Sequence, residues 1–191
     1  YSKIIFTAGF SSDVDTLTLS AAGTYILLVE GYVGDTGTGN YNFNVQFQGN
    51  IPPVPLTGTL IIVGATNNGT IAAAGSESKY TFKLTVDSRL YFDSLTNNSN
   101  LNWSLTGPAG MVVNRRSFTS SDSQSISNPV LDLLAGDYGL TVDGSGDATG
   151  AFSFRLFDMN AATAITPCIE VSGTLAPANE PDFSRFTSAA G

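Results

Sequence analysis

The densest oxygen chemistry in this 191-residue chain lies in two glycine-rich segments. Glu30-Gly31-Tyr32-Val33-Gly34-Asp35 and Asp143-Gly144-Ser145-Gly146-Asp147 each run from an acid through glycine to a Gly-Asp pair. Carboxylates and backbone carbonyls are the hard donors that Ca²⁺ takes, in sets of about six to eight. Glu30, Asp35, Asp143 and Asp147 are therefore candidate calcium ligands, and Ca²⁺ is the one cofactor these residues suggest. The same residues also make ordinary hairpin loops, in which Gly supplies positive φ and Asp bonds the backbone. That second reading asks less, because two carboxylates per loop hold a cation weakly unless neighbours add ligands. At the level of sequence both stand.

Elsewhere the residue types that catalysis needs are scarce. The chain has no histidine, which excludes Ser-His-Asp and Cys-His nucleophilic sites, histidine proton shuttles and ordinary zinc sites. Cys168 is the sole cysteine, so it cannot close an internal disulfide, and no cationic residue lies near it in sequence to activate the thiol. Asp13 and Asp15 are paired carboxylates, the residue type that glycoside hydrolysis uses. At the start of a strand they read better as charged gatekeepers of a sheet edge. The expectation is a protein that is not an enzyme. Trp103 alternates with Leu101 and Leu105, which puts it in a core rather than on a sugar-stacking platform. Tyr32 sits among loop glycines, where a ligand would have access. Asn114-Arg115-Arg116 reads as a solvated turn.

Composition narrows the partners. Sixteen acidic residues against eight basic ones give a formal net charge of −8, which repels nucleic acid and anionic lipid. Charged residues make up 13% of the chain and hydrophobic ones 42%. Polarity comes mainly from Ser, Thr, Asn and Gly, as in extracellular bacterial β-proteins, and apolar residues run along the whole length, unlike a disordered chain. No run approaches the ~18 apolar residues of a membrane helix, so membrane insertion is not expected. A chain that begins at Tyr1 is expected to be a mature or partial segment.

The elements that must position these groups alternate with period two. Tyr80, Phe82, Leu84 and Val86 are spaced by Thr81, Lys83 and Thr85. Leu101, Trp103 and Leu105 alternate up to a turn at Gly107-Pro108-Ala109-Gly110, and Tyr138, Leu140, Val142 and then Phe152, Phe154, Leu156 do the same. This is the pattern of strands with one face on a core and one in solvent. Turn residues arrive about every 8–12 positions, the spacing of a sandwich. The fold class expected is all-β, antiparallel β-sandwich domains in tandem repeat.

The tandem expectation comes from self-comparison. Ala21–Gly31 (AAGTYILLVEG) returns as Leu134–Gly144 (LAGDYGLTVDG), with Gly23 and Gly136 standing 113 positions apart. Gly39–Phe47 returns as Gly150–Phe157, and Leu56–Leu60 (LTGTL) as Val171–Leu175 (VSGTL), the last pair 115 positions apart. Residues 1–49 then form the C-terminal half of one repeat, 57–158 a complete repeat and 170–191 the start of a further one. Residues 50–56 and 159–169 read as proline-bearing linkers. The half-repeats at the ends would expose strand edges that can pair with other chains of the same protein.

Three motifs in order carry a resemblance. Gly58-Thr59-Leu60 leads to Tyr80-Thr81-Phe82; Leu101 to Gly110 makes a leucine-bearing strand and a Pro-Gly type turn; Leu134-Ala135-Gly136-Asp137-Tyr138-Gly139-Leu140-Thr141-Val142 precedes Gly150-Ala151-Phe152-Ser153-Phe154. Together they resemble the bacterial pre-peptidase C-terminal (PPC) domain, a β-sandwich appended to secreted proteases and strung along large surface proteins. The resemblance implies a non-catalytic accessory module; some members bind collagen or other polymers, and some bind calcium. The family often places an acid two residues before its "Y-x-F" strand. Here Ser78 stands there, with Glu77 one step out of register, while Asp182 keeps that place before Ser184-Arg185-Phe186. The function expected is structural and adhesive, in a large secreted or surface-exposed bacterial protein, with neighbouring repeats or other chains of the same protein as partners. The alternative is an accessory module that binds an extracellular polymer, collagen or polysaccharide, for a secreted hydrolase. An exposed aromatic strip would favour the alternative, and polar faces with contacts at domain ends would favour the first.

Overall fold

A computed structural model describes residues 17–19, 24–49, 55–176 and 178–189. The chain divides into two units, Tyr1–Val54 and Pro55–Gly191. In the second unit the alternating segments become strands, in the order β1 (Thr59–Leu60), β2 (Asn67–Ile71), β3 (Glu77–Leu84), β4 (Ser88–Ser94) and β5 (Leu101–Gly107). They continue with β6 (Gly110–Ser117), β7 (Val130–Leu133), β8 (Gly136–Gly144), β9 (Gly150–Asp158), β10 (Thr163–Ala164) and β11 (Ser184–Arg185). Two single 3-10 turns, at Phe118–Ser120 and Met159–Ala161, are the only helical elements among the described residues.

Nine strands form two facing sheets, one ordered β1-β3-β8-β5-β6 and the other β2-β9-β4-β7. Every pairing within them is antiparallel except β1 with β3. The fold is thus an all-β sandwich, as the alternation predicts. Tyr80, Phe82 and Leu84 of β3, Tyr138, Leu140 and Val142 of β8, and Phe152, Phe154 and Leu156 of β9 all point into one core. Burying each such side chain contributes about 1.5–3 kcal/mol relative to leaving it in water. Phe92 lies between Trp103 and Phe154, with ring centroids 3.9 and 5.2 Å away. Val86, expected to continue the β3 face, is instead 66% exposed. It lies past the end of β3, in the bend that leads to β4, where alternation no longer dictates direction.

The turn at 107–110 forms as read: Gly107 pairs with Gly110, and Pro108-Ala109 make a two-residue connection. Gly107 admits no side chain, since a Cβ there would come 2.2 Å from Tyr138 Cε1. Tyr138 itself stacks on Phe82 at 5.0 Å and donates its hydroxyl hydrogen to Leu134 O at 2.7 Å. One aromatic ring therefore ties the start of β8 to the core and to the end of β7.

β4 departs from alternation. Leu90 and Phe92 face the core, yet Tyr91 and Asp93 on the opposite face are also buried. Around them lie Arg155 of β9, Asp122 and Ser123 of the β6–β7 connection, and Phe183 and Glu180 of the chain that follows the sandwich. After β9 the 3-10 turn is capped by Asp158, whose carboxylate accepts from Asn160 N–H at 2.8 Å. β10 follows at once and pairs in parallel with β11, Thr163 beside Ser184 and Ala164 beside Arg185.

In the first unit, residues 24–49 take part in no strand. A turn is closed by Asp35 N–H on Tyr32 O at 2.8 Å, and the rings of Tyr41 and Phe43 stack at 6.1 Å. The alternation survives in the sequence, but Tyr41, Phe43, Val45 and Phe47 are all exposed. An isolated strand has no ladder to satisfy its backbone, so it gains little from the extended pairing geometry.

Candidate functional site

The two glycine-rich loops behave as hydrogen-bonded turns. In the β8–β9 loop, Ser145 N–H donates to Asn100 O at 2.8 Å and Ala148 N–H to Ser145 O at 3.1 Å. Asn102 Nδ2 donates to Ser145 Oγ at 2.8 Å. Gly146 has φ +57, the left-handed geometry that favours glycine. Asp143 forms an ion pair with Arg115 through one carboxylate oxygen, while its other oxygen is buried without a partner. Asp147 is exposed at the loop tip. In the first unit, Asp35 accepts from Tyr32 N–H at 2.9 Å, and Glu30 is exposed. Among the described residues no three acidic or cysteine side chains converge in a way that could hold a metal ion. Asp13 and Asp15 lie outside the described residues.

Arg115 reaches Asp143 because Asn114-Arg115-Arg116 is not a turn. These residues form a bulge in β6: Trp103 pairs with Arg116 and Leu105 with Val113, so two residues stand opposite Ser104. Arg115 takes φ +45 there and donates its N–H to Ser104 Oγ at 2.9 Å. Such backbone strain is tolerated where the surroundings hold it. The bulge aims one guanidinium at Asp143 and the next over the Trp103 ring, 5.4 Å from its centroid. Partial burial lowers the Arg116 pKa from its ordinary value.

Trp103 is fully buried, as its alternation predicts, and its indole N–H donates to Ser121 Oγ at 2.7 Å. Tyr32 is exposed, with its ring folded over Gly34. Cys168 is exposed at φ +66.

The outward faces of the two sheets differ. On the five-stranded sheet the outer positions are Lys79, Thr81 and Lys83 of β3, Thr141 and Asp143 of β8, and Ser104 and Thr106 of β5. Lys83 pairs with Asp137 at 3.6 Å, and Lys79 with Glu77 at 3.2 Å. Among the described residues this face carries no aromatic ring.

The outer face of the four-stranded sheet holds a largely buried polar cluster that sequence reading missed. The register sets Asp93 beside Arg155 and Tyr91 beside Phe157. Arg155 donates through Nε and Nη2 to Asp93 Oδ2, at 2.9 and 2.8 Å, and its Nη1 reaches Glu180 Oε1 at 3.3 Å. Its guanidinium also lies 4.8 Å from the centroid of Phe157. Phe183 packs against Tyr91 and Phe157 at 5.4 and 5.3 Å. Desolvation raises the Asp93 pKa, and this outweighs the lowering by Arg155; Asp122 and Glu180 add to the rise. Asp122 is likewise raised by burial, against a backbone hydrogen bond from Ser94, and its Oδ1 has no partner. Burial and then Asp122 raise the Tyr91 hydroxyl. Asp93 and Arg155 are 62 residues apart, so no local motif announces them.

Two shallow depressions flank this cluster. One, of about 320 Å³, is lined by Arg89, Asn128, Val130, Asp132 and Met159. The other, of about 210 Å³, is lined by Phe157, Asp158, Ala161, Ala162, Thr163 and Phe183. In the first, Arg89 and Asp132 are spent on each other at 2.9 Å; the second is walled by Phe157 and Phe183, whose rings pack on each other, beside small side chains. No helix among the described residues is long and apolar enough to cross a membrane.

No protein-family model and no curated protein matches the chain. Among solved structures, the chain is similar to the pre-peptidase C-terminal domain of a collagenase from Bacillus anthracis. That match has 16% identity and a TM-score of 0.38, and covers 55% of this chain and 98% of that one. It is also similar to a periplasmic inhibitor of g-type lysozyme from Salmonella Typhimurium, at 16% identity and TM-score 0.37, covering 52% of this chain and 97% of that one. A mutant of the corresponding Escherichia coli inhibitor matches at 18% identity and TM-score 0.35, over 48% and 86% of the two chains.

Proposed function

We propose that this chain is a stretch of tandem β-sandwich modules that serve as non-catalytic structural and adhesive elements of a large secreted or surface-exposed bacterial protein. The observation that carries the reading is the chemistry of the two outer faces. The five-stranded sheet presents Lys, Thr, Ser and Asp side chains, with Lys83 paired to Asp137 and Lys79 to Glu77, and among the described residues it holds no aromatic stacking platform for sugar or peptide. The aromatic pair on the other sheet, Tyr91 and Phe157, is already occupied by Phe183 of the same chain. Contacts thus gather where one module would meet the next.

Low charge density, the absence of histidine and the internal repeats support the same reading. Its partners are neighbouring repeats and other chains of the same protein, and its setting is outside the cell. Beads coated with the protein should cluster with one another and should not be retained on collagen or insoluble polysaccharide. Retention on either polymer, with no clustering, would replace this reading with that of a polymer-binding accessory module.

A further inference from the structure

The pairing of β10 with β11 repeats the pairing of β1 with β3 residue for residue. Thr59 lies beside Tyr80 and Leu60 beside Thr81; Thr163 lies beside Ser184 and Ala164 beside Arg185. Each of the four is 104 positions from its counterpart. The next hydrogen bond obeys the same spacing: Ile61 N–H donates to Thr81 O, and Ile165 N–H to Arg185 O, both at 2.9 Å.

The sequence between follows without a gap. Gly69-Thr70-Ile71-Ala72 in β2 and after it aligns with Gly173-Thr174-Leu175-Ala176, and Phe82 with Phe186. Parallel pairing is the exception in this antiparallel sandwich, so its recurrence at one spacing identifies the element. In this register Val171–Leu175 corresponds to β2, not to the segment before β1. Residues 159–169 then carry a first strand rather than a linker.

This leading edge does not hang free. Phe183 sits on Tyr91 and Phe157, and Glu180 reaches Arg155, which holds Asp93. The counterparts of Glu180 and Phe183 one repeat earlier are Ser76 and Lys79. Aligning Gly39 with Gly150 places Asn44 and Gln46 where Arg155 and Phe157 stand. The residues that make the ion pair and the aromatic contact are therefore not repeated in the sequence one repeat earlier.

We propose that residues 159–189 are the leading edge of a second sandwich, seated by Phe183 and Glu180 on the outer face of the four-stranded sheet. Consecutive modules are then held at a fixed angle by a built joint instead of swinging on a flexible linker. The inference rests on the tandem-module reading above, but not on adhesion.

Site-resolved amide exchange on the whole chain tests it without any ligand. Thr163 and Ile165 should be protected, with Ala164 between them exchanging freely. Phe183→Ala should lower protection at Thr163 and Ile165 by about tenfold, the scale of one lost aromatic contact pair. Tyr80 and Leu140 in the core should not change, which separates loss of the joint from unfolding. Lys79→Ala, at the counterpart of Phe183, should leave Thr163 and Ile165 as they are. Protection at Ala176 in place of Ile165 would overturn the register, and unchanged protection in Phe183→Ala would overturn the joint. Either failure could occur while coated beads still clustered, so the joint and the adhesive reading fail separately.

Discussion

The indole N–H of Trp103 donates to Ser121 Oγ at 2.7 Å, and that hydroxyl passes its own hydrogen to Ser117 O, also at 2.7 Å. The only tryptophan of the chain is thus buried with its one polar atom satisfied by a residue just past the 3-10 turn that follows β6. A hydrogen-bonded indole can sit in a core at little cost, whereas an orphaned one cannot.

Ser121→Ala removes both bonds and leaves the indole N–H facing apolar atoms. The variant should lose about 1–3 kcal/mol of stability. Urea unfolding at neutral pH measures it, and a loss well below that range would mean that the indole finds another acceptor.

Asp122 carries a different imbalance. Its pKa is raised from the ordinary 3.8 chiefly by desolvation, and its Oδ1 is buried without a partner. A carboxyl raised by folding binds its proton more tightly in the native state than in the unfolded one. Stability therefore falls as pH rises through the ordinary carboxylate range and up to the raised value, and the penalty is present in full at neutral pH. Asp93 has the same sign, because burial outweighs Arg155. Asp122→Asn should raise the melting temperature at pH 7, and the gain should vanish on acidification below the ordinary value of 3.8. A gain that persists unchanged in acid would assign it to packing instead of charge.

Arg155 compensates a carboxylate that is 3% exposed. Arg155→Met leaves Asp93 buried without its cation, and should cost about 3 kcal/mol. Replacing both, as Asp93→Leu with Arg155→Met, should recover most of that loss, because two apolar groups need no solvation. Chemical denaturation of the single and double variants gives the coupling directly, and additive losses would refute it.

Calcium tests the loops. Arg115 neutralises Asp143, and the backbone of the β8–β9 loop is engaged in its own turn bonds. EDTA-treated protein should melt at the same temperature with and without millimolar Ca²⁺. A rise would show a native-state site, and Glu30, Asp35, Asp143 and Asp147 would be the first positions to change.

How far the fold was legible depends on how many faces of a strand are buried. β3, β8 and β9 each bury one face, and β5 does so apart from Asn102, so their apolar residues recur with period two and their inward side chains are readable. β4 buries both faces, so Leu90-Tyr91-Phe92-Asp93-Ser94 shows no alternation. β6 carries a bulge that shifts its phase by one residue at Arg115, and the sequence there reads as a turn. β2, Asn67–Ile71, is short and mostly polar, and gives no signal of its own.

From the sequence alone follow an all-β sandwich, the inward direction of Trp103, the turn at Gly107–Gly110 and the absence of any histidine chemistry. These depend on residue type and local spacing. Tertiary structure decided which charges meet: Asp93 with Arg155 and Glu180, and Asp143 with Arg115. It also decided that Phe183 covers Tyr91 and Phe157. Alternation states which face a side chain takes, but not which strand lies beside it. Neighbours are set by sheet order and register, which join residues 62 and 28 positions apart.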